Sequence, residues 1–264
     1  MDLDTLSFHE VERRDDVAYL TMDRPAAQHS LTVEMAGELR DVTEWVSQHE
    51  SCRAIVLTGS EGTFCTGADL RPLEGDESDE RRLWAIARRL HAAIENLIQA
   101  SKPVITAVDG VAAGGGFGLA LSGDLVYLSS DARLEFAYPR IGLSGDGGSS
   151  YLLPRLVGLR RAREIALLDE PIEAKQAIEM GLATDVVPTT DLESRVDEVA
   201  SQLASGPTRA YGRFKQLTWD GLDRTLDDQL RAEVETLSAL ARSDDYANGY
   251  TAFTSGDEPT FTGE

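Results

Sequence analysis

The chain has 264 residues, 42% hydrophobic and 27% charged, which is enough apolar material to bury a core and too much for intrinsic disorder. Its 25 Lys and Arg against 46 Asp and Glu leave a net charge of −21, which repels phosphate backbones and anionic lipid and argues against nucleic acid or a membrane as partner. No apolar run approaches the roughly 20 residues of a bilayer span, and the acidic start MDLDTLSFHEVERRDD is unlike a secretory signal, so a cytoplasmic protein is expected.

In chain order, short apolar runs bounded by turn residues predict strands at Val17–Met22, 54–58, Val104–Val108, 125–128 and Asp185–Val187. Between them, apolar spacings of three and four predict a helix over 31–49 (Leu31, Met35, Leu39, Val42, Val46). The same spacing predicts another over 79–100 (Leu83, Ile86, Leu90, Ile94, Leu97) and a shorter one over 147–156. Strands alternating with helices imply an α/β fold with parallel pairing through crossovers. After about residue 190 the strands stop, and 192–203, 207–219 and 222–241 are helical in period. The expected organisation is therefore a core over 1–190 and a helical region over 191–264 that serves oligomerisation and closure of the site. The stretch EGDESDE at 74–80 reads as a solvated acidic loop.

Only Lys102, Lys175 and Lys215 among the basic residues are lysines. Few lysines beside a large acidic excess point to a halophilic protein, because high salt screens the self-repulsion of −21; a GC-rich genome favouring Arg over Lys is the alternative, though it does not itself explain the acid excess. Cys52 and Cys65 are too few for a disulfide framework and lack metal-ligand spacing. The four histidines are scattered, and no G-x-G-x-x-G, Walker-type or G-x-S-x-G motif occurs, so no metal site and no nucleotide cofactor are expected.

Two glycine-bearing segments follow predicted strands: GSEGTFCTGADL at 59–70 and VAAGGGFGLAL at 111–121. A glycine triplet entering an apolar helix exposes unpaired backbone N–H groups at a positive helix end. Such donors suit a developing oxyanion.

FCTGADL at 64–70 and GVAAGGGFGLALSGD at 110–124 resemble the crotonase, or enoyl-CoA hydratase/isomerase, superfamily. The resemblance continues through AYPRIGLSGDGGSSYLLPRLVG at 137–158 and EAKQAIEMGLATDVVP at 173–188, and reaches from DRPAAQHSL at 23–31 to AFTSGDEPTF at 252–261. It implies a spiral of ββα repeats with a C-terminal helical region that builds a homotrimer or a dimer of trimers. It also implies an acyl-CoA thioester substrate, with coenzyme A as part of the substrate and no separate cofactor. The thioester oxygen would lie between the backbone N–H groups of Ala68 and Gly115. The rest of the substrate would contact Arg24, Ala26, Ala27, Thr66, Gly67, Asp69, Leu70 and Gly114.

Departures from the family pattern bear on the reaction. The two hydratase glutamates fall at Gly118 and Arg140, so two-carboxylate hydration is not expected. An aspartate stands instead at Asp146, as in the branch that holds Asp-dependent enoyl-CoA isomerases, 1,2-epoxyphenylacetyl-CoA isomerase and 4-chlorobenzoyl-CoA dehalogenase. His91 and Tyr138 fall where dehalogenase-type members have an assisting His and a Trp, and Tyr138 also reads as a wall of the acyl pocket. The Lys that often follows the proline of the first turn is Ala26 here, and a C-terminal phosphate-binding Lys is Gly256. The expected function is acyl-CoA isomerisation with Asp146 as acid and base. Hydration or hydrolysis on the same scaffold, and a non-catalytic acyl-CoA-binding trimer, are the alternatives. Capping of the helix predicted over 147–156 is the alternative role for Asp146.

Overall fold

The computed structural model describes residues 3–264, apart from the side chain of Asp4. The chain runs β1 (His9–Arg14), β2 (Val17–Met22), α1 (Val33–Gln48), β3 (Ala54–Gly59) and α2 (Glu80–Gln99). It continues through β4 (Val104–Val108), β5 (Val111–Ala113), α3 (Gly115–Ala120), β6 (Leu125–Ser129), β7 (Arg133–Glu135) and α4 (Ser149–Leu168). Then come β8 (Ile172–Glu173), α5 (Ala174–Met180), β9 (Asp185–Val187), α6 (Leu192–Ala204), α7 (Thr208–Asp220), α8 (Leu226–Leu240) and α9 (Asp244–Ser255).

Six strands form a sheet in the order β1-β2-β3-β4-β6-β9, parallel except for the β1–β2 hairpin. Its central strands are buried on both faces, which is why they read as continuous apolar runs. Ile55 and Leu57 of β3 join the core shared with Met35 and Leu39 of α1 and Leu90 of α2. Ala54 and Val56 face the other way, against Val196, Val199 and Ala200 of α6. Thr32 starts α1 by accepting the Met35 N–H at 3.2 Å.

A second sheet, β5-β7-β8, is built from the second strand of successive repeats. Cys65 bridges in parallel to Ala112 of β5, Ala112 pairs with Leu134 of β7, and Leu134 with Ile172 of β8. Cys65, Ala112, Leu134 and Ile172 thus form one buried row. Each of three consecutive passes has a strand in the large sheet, a segment in this row and then a helix: β3–Cys65–α2, β4–β5–α3 and β6–β7–α4. This is the expected spiral of ββα repeats.

Several elements differ from expectation. β1 is missed because Val11 is its one apolar residue, and it exists by pairing with β2 as a charged edge strand. The helix expected over 222–241 begins at Leu226: Gly221–Asp223 forms a separate 3-10 turn, and Thr225 caps the helix by accepting from the Asp228 N–H. The short helix at 147–156 extends to Leu168 through a break at Gly158, whose φ of 77° and ψ of 156° are not helical. The strands β5, β7 and β8 are not among the expected ones, and the helices α5 and α9 lie outside the expected helices. Cys52 and Cys65 are both buried free thiols, and burial pushes the Cys65 thiol up to about 12. No helix is long and apolar enough to cross a membrane among the described residues.

Candidate active site

The turn that follows each row segment delivers one part of a single cavity of about 300 Å³. The turn after Cys65 supplies Thr66, Gly67, Ala68 and Leu70. The turn after β5 supplies Gly114 and Gly115, and the long turn after β7 supplies Tyr138 and Asp146. The opposite wall is the apolar face of the first half of α2, with Leu83, Trp84, Ala87 and Leu90.

Gly67 shows why the first turn must hold a glycine. Its φ is +84°, and a Cβ would stand 2.8 Å from the Ala113 carbonyl oxygen and 3.0 Å from the Gly115 nitrogen. That close approach brings the Ala68 and Gly115 backbones to the same cavity. Gly115 is the first residue of α3, so its N–H has no intrahelical acceptor. Among the described residues, neither the Gly115 nor the Ala68 N–H finds an acceptor in the chain.

Asp146 lies in a loop whose glycines 142, 145, 147 and 148 all have positive φ. Its carboxylate is hydrogen-bonded and ion-paired, Oδ1 to His91 Nε2. Burial alone would raise the Asp146 carboxyl, but the His91 hydrogen bond and charge outweigh it and hold the group below the ordinary carboxylate value. The same hydrogen bond lifts His91 above the usual imidazole value against its own desolvation. Asp146 does not cap α4: the N-cap is Gly148, without a side-chain bond. Instead the Asp146 main-chain oxygen accepts from the Ser149 N–H at 3.1 Å and Ser149 Oγ at 2.7 Å. The helix start therefore holds the backbone of Asp146 and leaves its carboxylate turned to His91.

Tyr138 is 8% exposed and packs edge-on to Phe136. Burial and then the Asp146 charge push its phenol well above the ordinary value, so it stays neutral.

Of the other residues expected to contact substrate, Arg24, Ala26, Ala27, Asp69 and His91 do not line the cavity. Asp69 is buried and accepts from Arg24 at 3.0 Å and from Arg71 through both oxygens, at 2.8 and 2.6 Å. Arg71 first, with Arg24, holds its carboxyl far below the carboxylate range. Asp69 thus braces two guanidinium groups outside the lining. Ala26 and Ala27 form a 3-10 turn with Pro25, fixed by the buried His29 ring. His29 Nδ1 accepts the Arg24 N–H at 2.9 Å, so its Nε2–H donates to the Ser60 carbonyl at 2.9 Å.

The enoyl-CoA hydratase/isomerase family matches residues 12–264. The chain belongs to that family. It is 36% identical over 250 residues to the 1,2-epoxyphenylacetyl-CoA isomerase of Escherichia coli, covering 94% of this chain and 95% of that protein. It is 37% identical over 262 residues to a probable enoyl-CoA hydratase of Rhodobacter capsulatus, covering 98% and 100%. A crystal structure of an enoyl-CoA hydratase from Bacillus anthracis superposes with a TM-score of 0.91 at 28% identity, covering 98% of this chain and 100% of that one.

The chain is thus an enzyme of the enoyl-CoA hydratase/isomerase type, and its two departures from the glutamate pattern acquire a structural reason. At Gly118 a Cβ would stand 2.0 Å from the Gly147 carbonyl oxygen. The loop that carries Asp146 rests directly on α3, in the space a side chain at 118 would need. Arg140 lies outside the cavity lining, donating to Glu135 and, at 2.7 Å, to Asp169 Oδ2. Asp169 also accepts the Ala137 N–H at 2.7 Å, so this cluster anchors the base of the Asp146 loop. Sequence reasoning missed that anchor because Glu135 and Asp169 are 34 positions apart. It also missed Trp84, although its place seven residues before His91 sets both on one face of α2.

Proposed function

We propose that the protein is an acyl-CoA isomerase that moves a double bond with Asp146 as the single acid and base. The observation that carries the reading is the position of the His91-paired Asp146 carboxylate in the same cavity as the unengaged Ala68 and Gly115 N–H groups. The thioester oxygen of a 3-enoyl-CoA accepts from these two donors. Asp146 takes a proton from C2, and the electron pair delocalises into a dienolate whose charge rests on that oxygen. The same carboxyl then returns the proton to C4, giving the conjugated 2-enoyl thioester. One carboxylate suffices because the proton leaves and re-enters on one face. His91 occupies Oδ1, so the transfer falls to Oδ2. No resident cofactor takes part, since coenzyme A is the carrier portion of the substrate.

Hydration is the competing reading, because a hydratase is as close in sequence as an isomerase. It would need water held by Asp146 alone, since the space at Gly118 is filled by the Gly147 carbonyl. The test is a screen of 3-enoyl-, 2-enoyl-, epoxyphenylacetyl- and halobenzoyl-CoA with wild type and Asp146→Asn. Double-bond migration should fall about 10²- to 10⁴-fold in the variant, the usual contribution of a positioned general base, with binding retained. Turnover unchanged by Asp146→Asn would dismiss the mechanism.

The chain also assembles, on this proposal, as a homotrimer or a dimer of trimers. α8 buries none of its own residues, and Leu226, Val234 and Leu237 on it are exposed, as are Tyr246, Tyr250 and Phe253 on α9. Apolar faces of this extent are characteristic of subunit contacts.

A further inference from the structure

α2 brings more to the cavity than its contact with Asp146. Trp84 lies two turns before His91 on the same helical face and lines the same cavity, yet it is 65% exposed. Leu70, Ile141 and Leu143, all exposed, line the same cavity from the turns after Cys65 and β7. The Arg88 guanidinium lies 6.0 Å from the centre of the indole, while the ring shares its cavity with Leu70, Leu83, Ile141 and Leu143, so the cavity side of the ring offers an aliphatic-lined surface to an apolar group. Seven residues at 1.5 Å each put Trp84 about 10 Å along the helix from His91, and so about that far from the proton-transfer site.

We propose that Trp84 is a specificity-determining residue that covers the far end of the acyl group. It would select a medium-length alkyl tail, or a ring on a short spacer, over a four-carbon acyl. The inference rests on the assignment of the cavity to an acyl-CoA thioester. The alternative occupant of this surface is the carrier arm, which all CoA esters share. That arm carries amides and phosphates, and burying amides against Leu70, Leu83, Ile141 and Leu143 would leave them without partners. An apolar tail carries no such penalty, and it gains both area and an aromatic face.

The test is equilibrium binding of three saturated esters, butanoyl-, decanoyl- and 4-phenylbutanoyl-CoA, to wild type and Trp84→Ala. The substitution is at an exposed helical position and replaces Trp with the best helix former, so the fold is retained. The two long esters should bind about tenfold more weakly to the variant, from loss of the aromatic contact and its area, while butanoyl-CoA is unaffected. Tryptophan emission should move to shorter wavelength when decanoyl-CoA binds wild type, and that change should vanish in Trp84→Ala. Equal weakening of all three esters would place Trp84 on the carrier arm and overturn the proposal, as would no weakening at all. In both cases wild-type binding leaves the thioester assignment standing. Failure of wild type to bind any of the three would remove that assignment together with the inference.

Discussion

Gly118→Ala tests whether the Asp146 loop and α3 are as tightly matched as their backbones indicate. The new Cβ would stand 2.0 Å from the Gly147 oxygen, 2.7 Å from its carbonyl carbon and 2.9 Å from its Cα. All three are main-chain atoms, so no rotamer change relieves the overlap, and the loop must lift by roughly 1 Å or more for ordinary contact. Overpacking of this kind costs about 1–3 kcal/mol, and the rigid partner places it at the upper end. Replacing Gly by Ala inside a helix returns about 1 kcal/mol. The net loss is about 2 kcal/mol, which for a chain of this size lowers the melting temperature by about 4–8 °C. Activity should suffer more than stability, because the displaced residue adjoins Asp146 and a 1 Å misplacement of a catalytic group costs about 10²-fold. Thermal melting and kcat on a 3-enoyl-CoA measure the two effects. A variant that melts at or above wild type with full kcat would refute the packing argument. Gly118→Glu meets the same obstruction, so it should gain no hydratase activity despite restoring a family glutamate.

His91→Leu should move the acid limb of the kcat/KM profile to higher pH, since the hydrogen bond and charge that lower Asp146 go and burial, which raises it, remains; a limb that stays in place or moves down would contradict the pairing. The same pair contributes stability over a defined pH window. The Asp146 part is present above the ordinary carboxylate value and is lost as pH falls through the lowered folded value. The His91 part is present below the ordinary imidazole value and is lost as pH rises through the raised one. Both side chains are partly solvent-exposed, so the stability difference between wild type and His91→Leu should stay within about 1 kcal/mol, measured by denaturant titration across pH. Melting temperature should rise between 0.1 and 1 M salt as the Debye length shrinks from about 10 Å to about 3 Å, and a flat or falling trend would count against halophily. In the same high-salt buffer, sedimentation should give a trimer or hexamer, and a monomer of 28.7 kDa would count against assembly.

What was legible in the sequence followed from burial. β3 and β4 are covered on both faces, and α1 and α2 present single apolar stripes, so composition and period identify them directly. β1 was not legible because its strand state depends on its partner, and β8 because two residues carry no period. The start of α8 was misread because Leu222 continues the apolar spacing past the capping Thr225, whose side chain accepts the Asp228 N–H. In the site, the close main-chain approach at Gly67 and Gly115 was legible through the absence of a side chain. Arg140 and Gly118 read only as missing glutamates. The ion-paired anchor and the obstructing carbonyl that occupy their places are tertiary contacts with no local signature.

The row through Cys65, Ala112, Leu134 and Ile172 has a consequence for how such a scaffold changes its chemistry. On the proposed mechanism the two N–H donors come from the first two turns of the spiral and the acid–base carboxylate from the third. Carbonyl activation and proton management are therefore inherited separately. The first two turns are constrained by main-chain geometry that few residues other than glycine satisfy. The third is a longer loop with glycines at 142, 145, 147 and 148, held at its base by Arg140 and Asp169. A change in that loop can therefore alter the proposed acid–base group while the main-chain donors stay in place.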